Sequence, residues 1–161
     1  MAMTRTALAA AWALALAAPA TADDFCDALK HVVADAPKGF AATRGQPDPG
    51  YPASYWRPFL LPGATALMPD GSPCFVLHAA KTNPPEEYRC FFPGAADRDG
   101  LLADMHRMAD RVSTCLSPMT FDQKQGLWRV AVDDVSVLVG GALPPPQGGA
   151  GVVAVMIVPK T

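Results

Sequence analysis

Charge is scarce in this chain: 17% of residues are ionic, the net charge is −2, and no two basic residues adjoin. That leaves no cationic field for DNA, RNA or anionic lipid, so no nucleic-acid partner is expected. The sequence has no G-x-S-x-G, no S-x-x-K and no phosphate-cradling glycine loop followed by Lys and a helix, which removes the common nucleophile and nucleotide signatures. No C-x-x-C and no H-x3-H pair occurs, so the compact zinc and dithiol patterns are excluded. Apolar runs are short. The longest, Ala7–Ala18, has twelve residues, against the ~20 a membrane-spanning helix needs.

That run has its own reading. It follows one positive charge, Arg5, and precedes Pro19 and the small residues Ala20-Thr21-Ala22. A charged start, an apolar middle and an A-x-A end predict a signal peptide over residues 1–22, cut before Asp23. Its removal takes away one of the 13 basic residues and none of the 15 acidic ones, moving the net charge to −3. Residues 23–161 then form a single domain, with no membrane span, in the periplasm or outside the cell.

The four cysteines, Cys26, Cys74, Cys90 and Cys115, all follow the leader. An even number in an exported chain reads as two disulfides. Three pairings are possible, and local patterning ranks them. Residues 24–36 place Phe25, Cys26, Leu29, Val32, Val33 and Ala36 on one helical stripe, ended by Pro37 and Gly39. Residues 98–116 repeat the pattern with Leu101, Leu102, Met105, Met108, Ala109, Val112, Cys115 and Leu116 on one face, after an N-cap at Asp97 or Asp99. Two antiparallel helices would bring Cys26 to Cys115. Residues 74–81 and 88–92 read as strands around the turn 82–87, and their cysteines share parity. The expected bonds are Cys26–Cys115 and Cys74–Cys90.

Further strands are expected at 39–44, 65–68, 127–132, 135–139 and 152–158, with residues 45–55 and 140–151 as Pro/Gly-rich loops. Pro93 is expected to stop the strand that holds Cys90. Around Asp133-Asp134, a two-residue hairpin would set Trp128, Val130 and Val132 beside Val139, Val137 and Val135; one strand with a bulge fits equally well. The apolar run 152–158 reads as a central strand covered on both faces. Alternation of helix and strand is too sparse for a parallel sheet. The predicted fold is a two-layer α+β domain: an antiparallel sheet of about five to six strands with two amphipathic helices on one face, stapled by two disulfides. The element order resembles the layout of type III secretion chaperones, in order alone and with no shared motif.

Candidate chemistry is sparse. His31 and His106 fall on solvated helix flanks, His106 four residues before Asp110, while His78 shares the strand parity of Cys74 and Val76. Met105, His106 and Met108 invite a copper reading, but both methionines lie on the core stripe, and no metal or cofactor is expected. The segment 45–57 gathers Tyr51, Tyr55, Trp56 and Arg57, residue types enriched at interface hot spots. The reading is a non-enzymatic accessory, inhibitor or immunity-type factor that binds an envelope or secreted protein. The alternatives are a small-ligand or metal carrier using the sheet–helix groove with His78, and then an envelope hydrolase without a recognisable motif.

Overall fold

The computed structural model describes residues 22–43, 56–59, 74–79, 87–146 and 148–160. Helix α1 (Ala22–Asp35) is followed by strands β1 (Trp56–Phe59), β2 (Cys74–Ala79) and β3 (Glu87–Gly94). Helix α2 (Arg98–Cys115) then carries the chain to β4 (Thr120–Asp122), β5 (Leu127–Val132), β6 (Val135–Ala142) and β7 (Gly151–Pro159). The seven strands form one antiparallel sheet in the order β1-β2-β3-β7-β6-β5-β4. Two meanders therefore meet where β7 pairs with β3, and α2 is the crossover that sends β4 to the far edge.

The α+β class, the two helices and both expected disulfides are present. Cys26 is bonded to Cys115 and Cys74 to Cys90, and no described cysteine is free. The helical stripes and the inward sheet positions form one core. Phe25, Leu29, Val76, Tyr88, Val112, Val137, Val139 and Ile157 are all at most 1% exposed, each such aliphatic or aromatic side chain contributing ~1.5–3 kcal/mol by leaving water. Asp97 caps α2, its carboxylate accepting from the Gly100 N–H at 2.8 Å. The Asp133-Asp134 hairpin has the anticipated register, Trp128 opposite Val139, Val130 opposite Val137 and Val132 opposite Val135. Asp133 takes φ 49° in its turn, a left-handed conformation that Asp tolerates. Lys160 clasps that turn, its N–H donating to the Asp134 carbonyl and its Nζ to the Asp133 carbonyl, each at 2.6 Å.

Several expectations fail for identifiable reasons. Residues 40–43 form turns, not a strand. Gly39 and Phe40 both take left-handed φ, 64° and 56°, and the buried Asp35 carboxylate accepts from the N–H groups of Ala42 and Thr43 and from the Thr43 hydroxyl. β3 continues through Pro93, because β2 covers β3 only from Glu87 to Cys90. Among the described residues the strand pairs beyond Cys90 with β7 alone, and a missing N–H is tolerated on the side away from it. Likewise β1 contains Pro58 at the edge of the sheet.

Gly140, Gly141 and Ala142 belong to β6 rather than to the following loop. A Cβ at Gly141 would come within 2.8 Å of the Met105 sulfur, so glycine here lets α2 settle on the sheet. Finally, β7 is central but covered on one face. Val153, Val155 and Ile157 are buried, whereas Val152 is 36% exposed and Ala154, Met156 and Val158 are half-buried. The candidate strand 65–68 lies outside the described residues.

Candidate functional site

Helix α2 lies on the sheet with its Leu101, Met105, Ala109 and Val112 stripe inward, which leaves two flanks. On the flank facing β4 and β5, residues spaced four apart, Leu102, His106 and Asp110, follow one another up the helix. The His106 ring stacks on Trp128 of β5, centroids 5.0 Å apart and planes 1° from parallel. Phe121 of β4 leans on the other side of the cluster, 5.2 Å from Trp128 at 50°. Register explains this meeting, since Phe121 is directly opposite Trp128 and Trp128 is opposite Val139. All three therefore share the helix-bearing face.

The result is a row, Leu102–His106–Trp128–Phe121, built on a helix and a hairpin. Leu102, expected on the core stripe, instead sits at its margin, one residue past the buried Leu101, and is 43% exposed; Phe121 is 41% exposed, and Trp128 packs against the core beneath them. His106 also faces Asp110 across 3.7 Å, an exposed pair that contributes little. Rigid aromatic and aliphatic surface with a polar rim suits a protein contact. The sequence reading placed His106 correctly near Asp110 but had no means to pair it with Trp128, because that contact joins elements on either side of β4.

On the opposite flank, Asp104, Arg107, Met108 and Arg111 face the end of β3 and the start of β7. With Phe92, Pro93 and Val153 they line a groove of about 320 Å³. The Asp104 carboxylate accepts from the Ala95 N–H at 2.7 Å and pairs with the Arg107 guanidinium. The Arg111 guanidinium lies 3.9 Å over the Phe25 ring.

The four residues singled out in segment 45–57 divide. Tyr51 and Tyr55 lie outside the described residues. Trp56 and Arg57 open β1, whose register sets Arg57 opposite His78 and Trp56 opposite Ala79. Of the methionines, Met105 is buried in the core and Met108 packs against it. Among the described residues, no three His, Cys, Asp or Glu side chains gather into a metal-binding group.

Buried chemistry elsewhere is structural. The Tyr88 hydroxyl stands 3.2 Å from Cys90 Sγ, a disulfide sulfur with no proton to give, so the phenol is the donor. Burial pushes the Tyr88 phenol above its ordinary range, keeping it neutral. Among the described residues, no helix is long and apolar enough to cross a membrane. The two disulfides are the pattern of proteins that fold in oxidising compartments. No protein-family model matches the chain, and neither the curated proteins nor the solved structures include a significant match.

Proposed function

We propose that this chain is exported to the periplasm or secreted, loses residues 1–22, and works by binding a protein partner as an accessory, inhibitor or immunity-type factor. The observation that carries the reading is the Leu102–His106–Trp128–Phe121 row, with two large apolar side chains more than 40% exposed on rigid elements. Large exposed side chains held by regular structure bind with little loss of conformational entropy. The leader layout and the two disulfides support export. Tyr51, Tyr55, Trp56 and Arg57 are proposed as a second contact region. Of these, Trp56 and Arg57 open the edge strand β1, at the other end of the sheet from β4 and β5.

Site-specific photo-crosslinking in the native host tests this. A photoreactive phenylalanine analogue at position 121 or 55 is expected to give one discrete protein adduct in the exported fraction. The same group at Leu143, which is 51% exposed in the β6–β7 connector, should give none. No adduct from 121 or 55 overturns the binding reading. Separately, a cell-associated protein that still begins at Met1 overturns export.

A further inference from the structure

We infer that the partner supplies an extended segment that adds to β4 as a further antiparallel strand, an inference that rests on the partner-binding reading and names the form its partner takes. β4 is an end strand of the sheet, and backbone groups along such a strand alternate between facing the neighbour and facing outward. Two contacts fix the phase. The Asp122 carbonyl accepts from the Gly126 N–H at 2.8 Å, so it turns toward β5. The Arg129 carbonyl, opposite Thr120, accepts from the Thr120 hydroxyl at 3.3 Å, so it turns toward β4. Thr120 and Asp122 are therefore the residues bonded to β5, and the N–H and C=O of Phe121 between them point away from it. Phe121 is 41% exposed. A donor and an acceptor on one edge residue are what an added antiparallel strand engages, by exchanging both bonds with a single residue of its own.

The side chains set what the segment must carry. Phe121 is opposite Trp128 on the helix-bearing face, so the segment residue opposite Phe121 stands on that face, with those two before and two after it. An apolar side chain there pairs with the Phe121 ring. The Met119 N–H donates to Ser113 Oγ at 3.1 Å, so the start of β4 lies beside the C-terminal half of α2. In an antiparallel segment the residue two before the central one therefore points toward Leu102, which is 43% exposed and calls for a second apolar side chain. The residue two after it points toward Asp110. That carboxylate is 72% exposed and stands 3.7 Å from His106, beyond hydrogen-bond distance, so its charge suits an incoming Lys or Arg. The segment thus reads apolar, any, apolar, any, basic. A second copy of the chain fits this edge poorly, because β4 is three residues long and a stable interface between whole proteins buries ~1,000 Å² or more.

Chemical-shift titration and amide hydrogen exchange of the intact, disulfide-bonded chain test the inference, with the peptide acetyl-Thr-Val-Thr-Val-Thr-Lys-Thr-amide as probe. Its second valine is the residue meant for Phe121. Saturable shifts are expected at Leu102, Phe121 and Trp128. Exchange of the Phe121 amide should slow at least about tenfold, since only the added strand bonds that N–H. N-methylation of the second valine removes the donor for the Phe121 carbonyl and should weaken binding about tenfold. Glu in place of the peptide Lys should weaken it about threefold, and Asp110→Asn should erase that difference. Shifts without slowed Phe121 exchange, equal binding of the N-methylated peptide, a preference for Lys that survives Asp110→Asn, or no saturable shift each overturn it. Slowed Phe121 exchange without peptide, in a chain that sediments as a dimer, overturns it in favour of a second copy. A discrete adduct from position 121 beside any of these failures rejects strand addition and keeps the partner-binding reading, so the two fail separately.

Discussion

The imidazole of His106 lies flat on the indole of Trp128, with ring planes 1° from parallel and centroids 5.0 Å apart. This contact ties the middle of α2 to β5, next to the edge strand β4. His106→Ala is expected to lower stability by about 0.5 kcal/mol, the lower end for an aromatic pair because His106 is 59% exposed. Urea denaturation measures this. The same substitution should shift Trp128 emission to the red, and an unchanged spectrum would mean that the stack does not shield the indole.

The two disulfides close very different loops, 89 residues for Cys26–Cys115 and 16 for Cys74–Cys90. Restriction of the unfolded chain grows with the logarithm of loop length, giving about 4–5 kcal/mol for the first and about 3 kcal/mol for the second. The double variant Cys26→Ser/Cys115→Ser should therefore be the less stable of the two double-serine proteins. Equal denaturation midpoints, or the reverse order, contradict the prediction.

Asp35 closes α1 and is 4% exposed. Its Oδ2 accepts from Ala42 N at 2.9 Å, Thr43 N at 2.8 Å and Thr43 Oγ1 at 2.8 Å. Alanine would leave these donors without their acceptor, so Asp35→Ala should cost about 2–4 kcal/mol. Asp35→Asn keeps a carbonyl acceptor and should cost less. A thermal melt of the two variants orders them, and identical melts would show that the carboxylate does not hold the 36–43 turn.

Burial favours the neutral Tyr88 phenol in the folded protein, while in the unfolded chain it ionises from its ordinary value of 10.0. The folded group thus has the higher pKa. Its contribution is complete below pH ~10 and is lost progressively as pH rises above that. Denaturation midpoints should fall as pH rises from about 10 to about 11, and Tyr88→Phe should flatten that fall. A Phe variant with the same alkaline slope as the parent would assign the loss to another group.

How much was legible varied with the range of the interaction. The helices and the strands on either side of Asp133-Asp134 follow from neighbours within a few residues, whereas the choice of Asp97 over Asp99 as cap and of a hairpin over a bulge came from the structure. The Cys26–Cys115 bond spans 89 residues, yet it was reachable because only four cysteines compete and two helical stripes orient one pair. The turn at 39–43 was misread because Phe40 and Thr43 suit a strand by side chain, whereas Gly39, Phe40 and the Asp35 carboxylate set the backbone. Pro93 reads as a strand breaker because the local pattern does not tell which side of the strand has a partner.

The sequence by itself determined the α+β class, the leader-like layout, the two helices and the cysteine partners, and narrowed the Asp133-Asp134 site to a hairpin or a bulge. Each of these depends on spacing along the chain or on a chemistry with few alternatives. Tertiary structure decided that β7 inserts between β3 and β6, that Trp56 and Arg57 open an edge strand, and that β7 is covered on one face. It also decided what the flanks of α2 meet: Trp128 and Phe121 on one, Phe92 and Val153 on the other. Strand order and helix placement depend on which apolar faces and open edges fit together across the whole core. That competition leaves no mark in the local pattern.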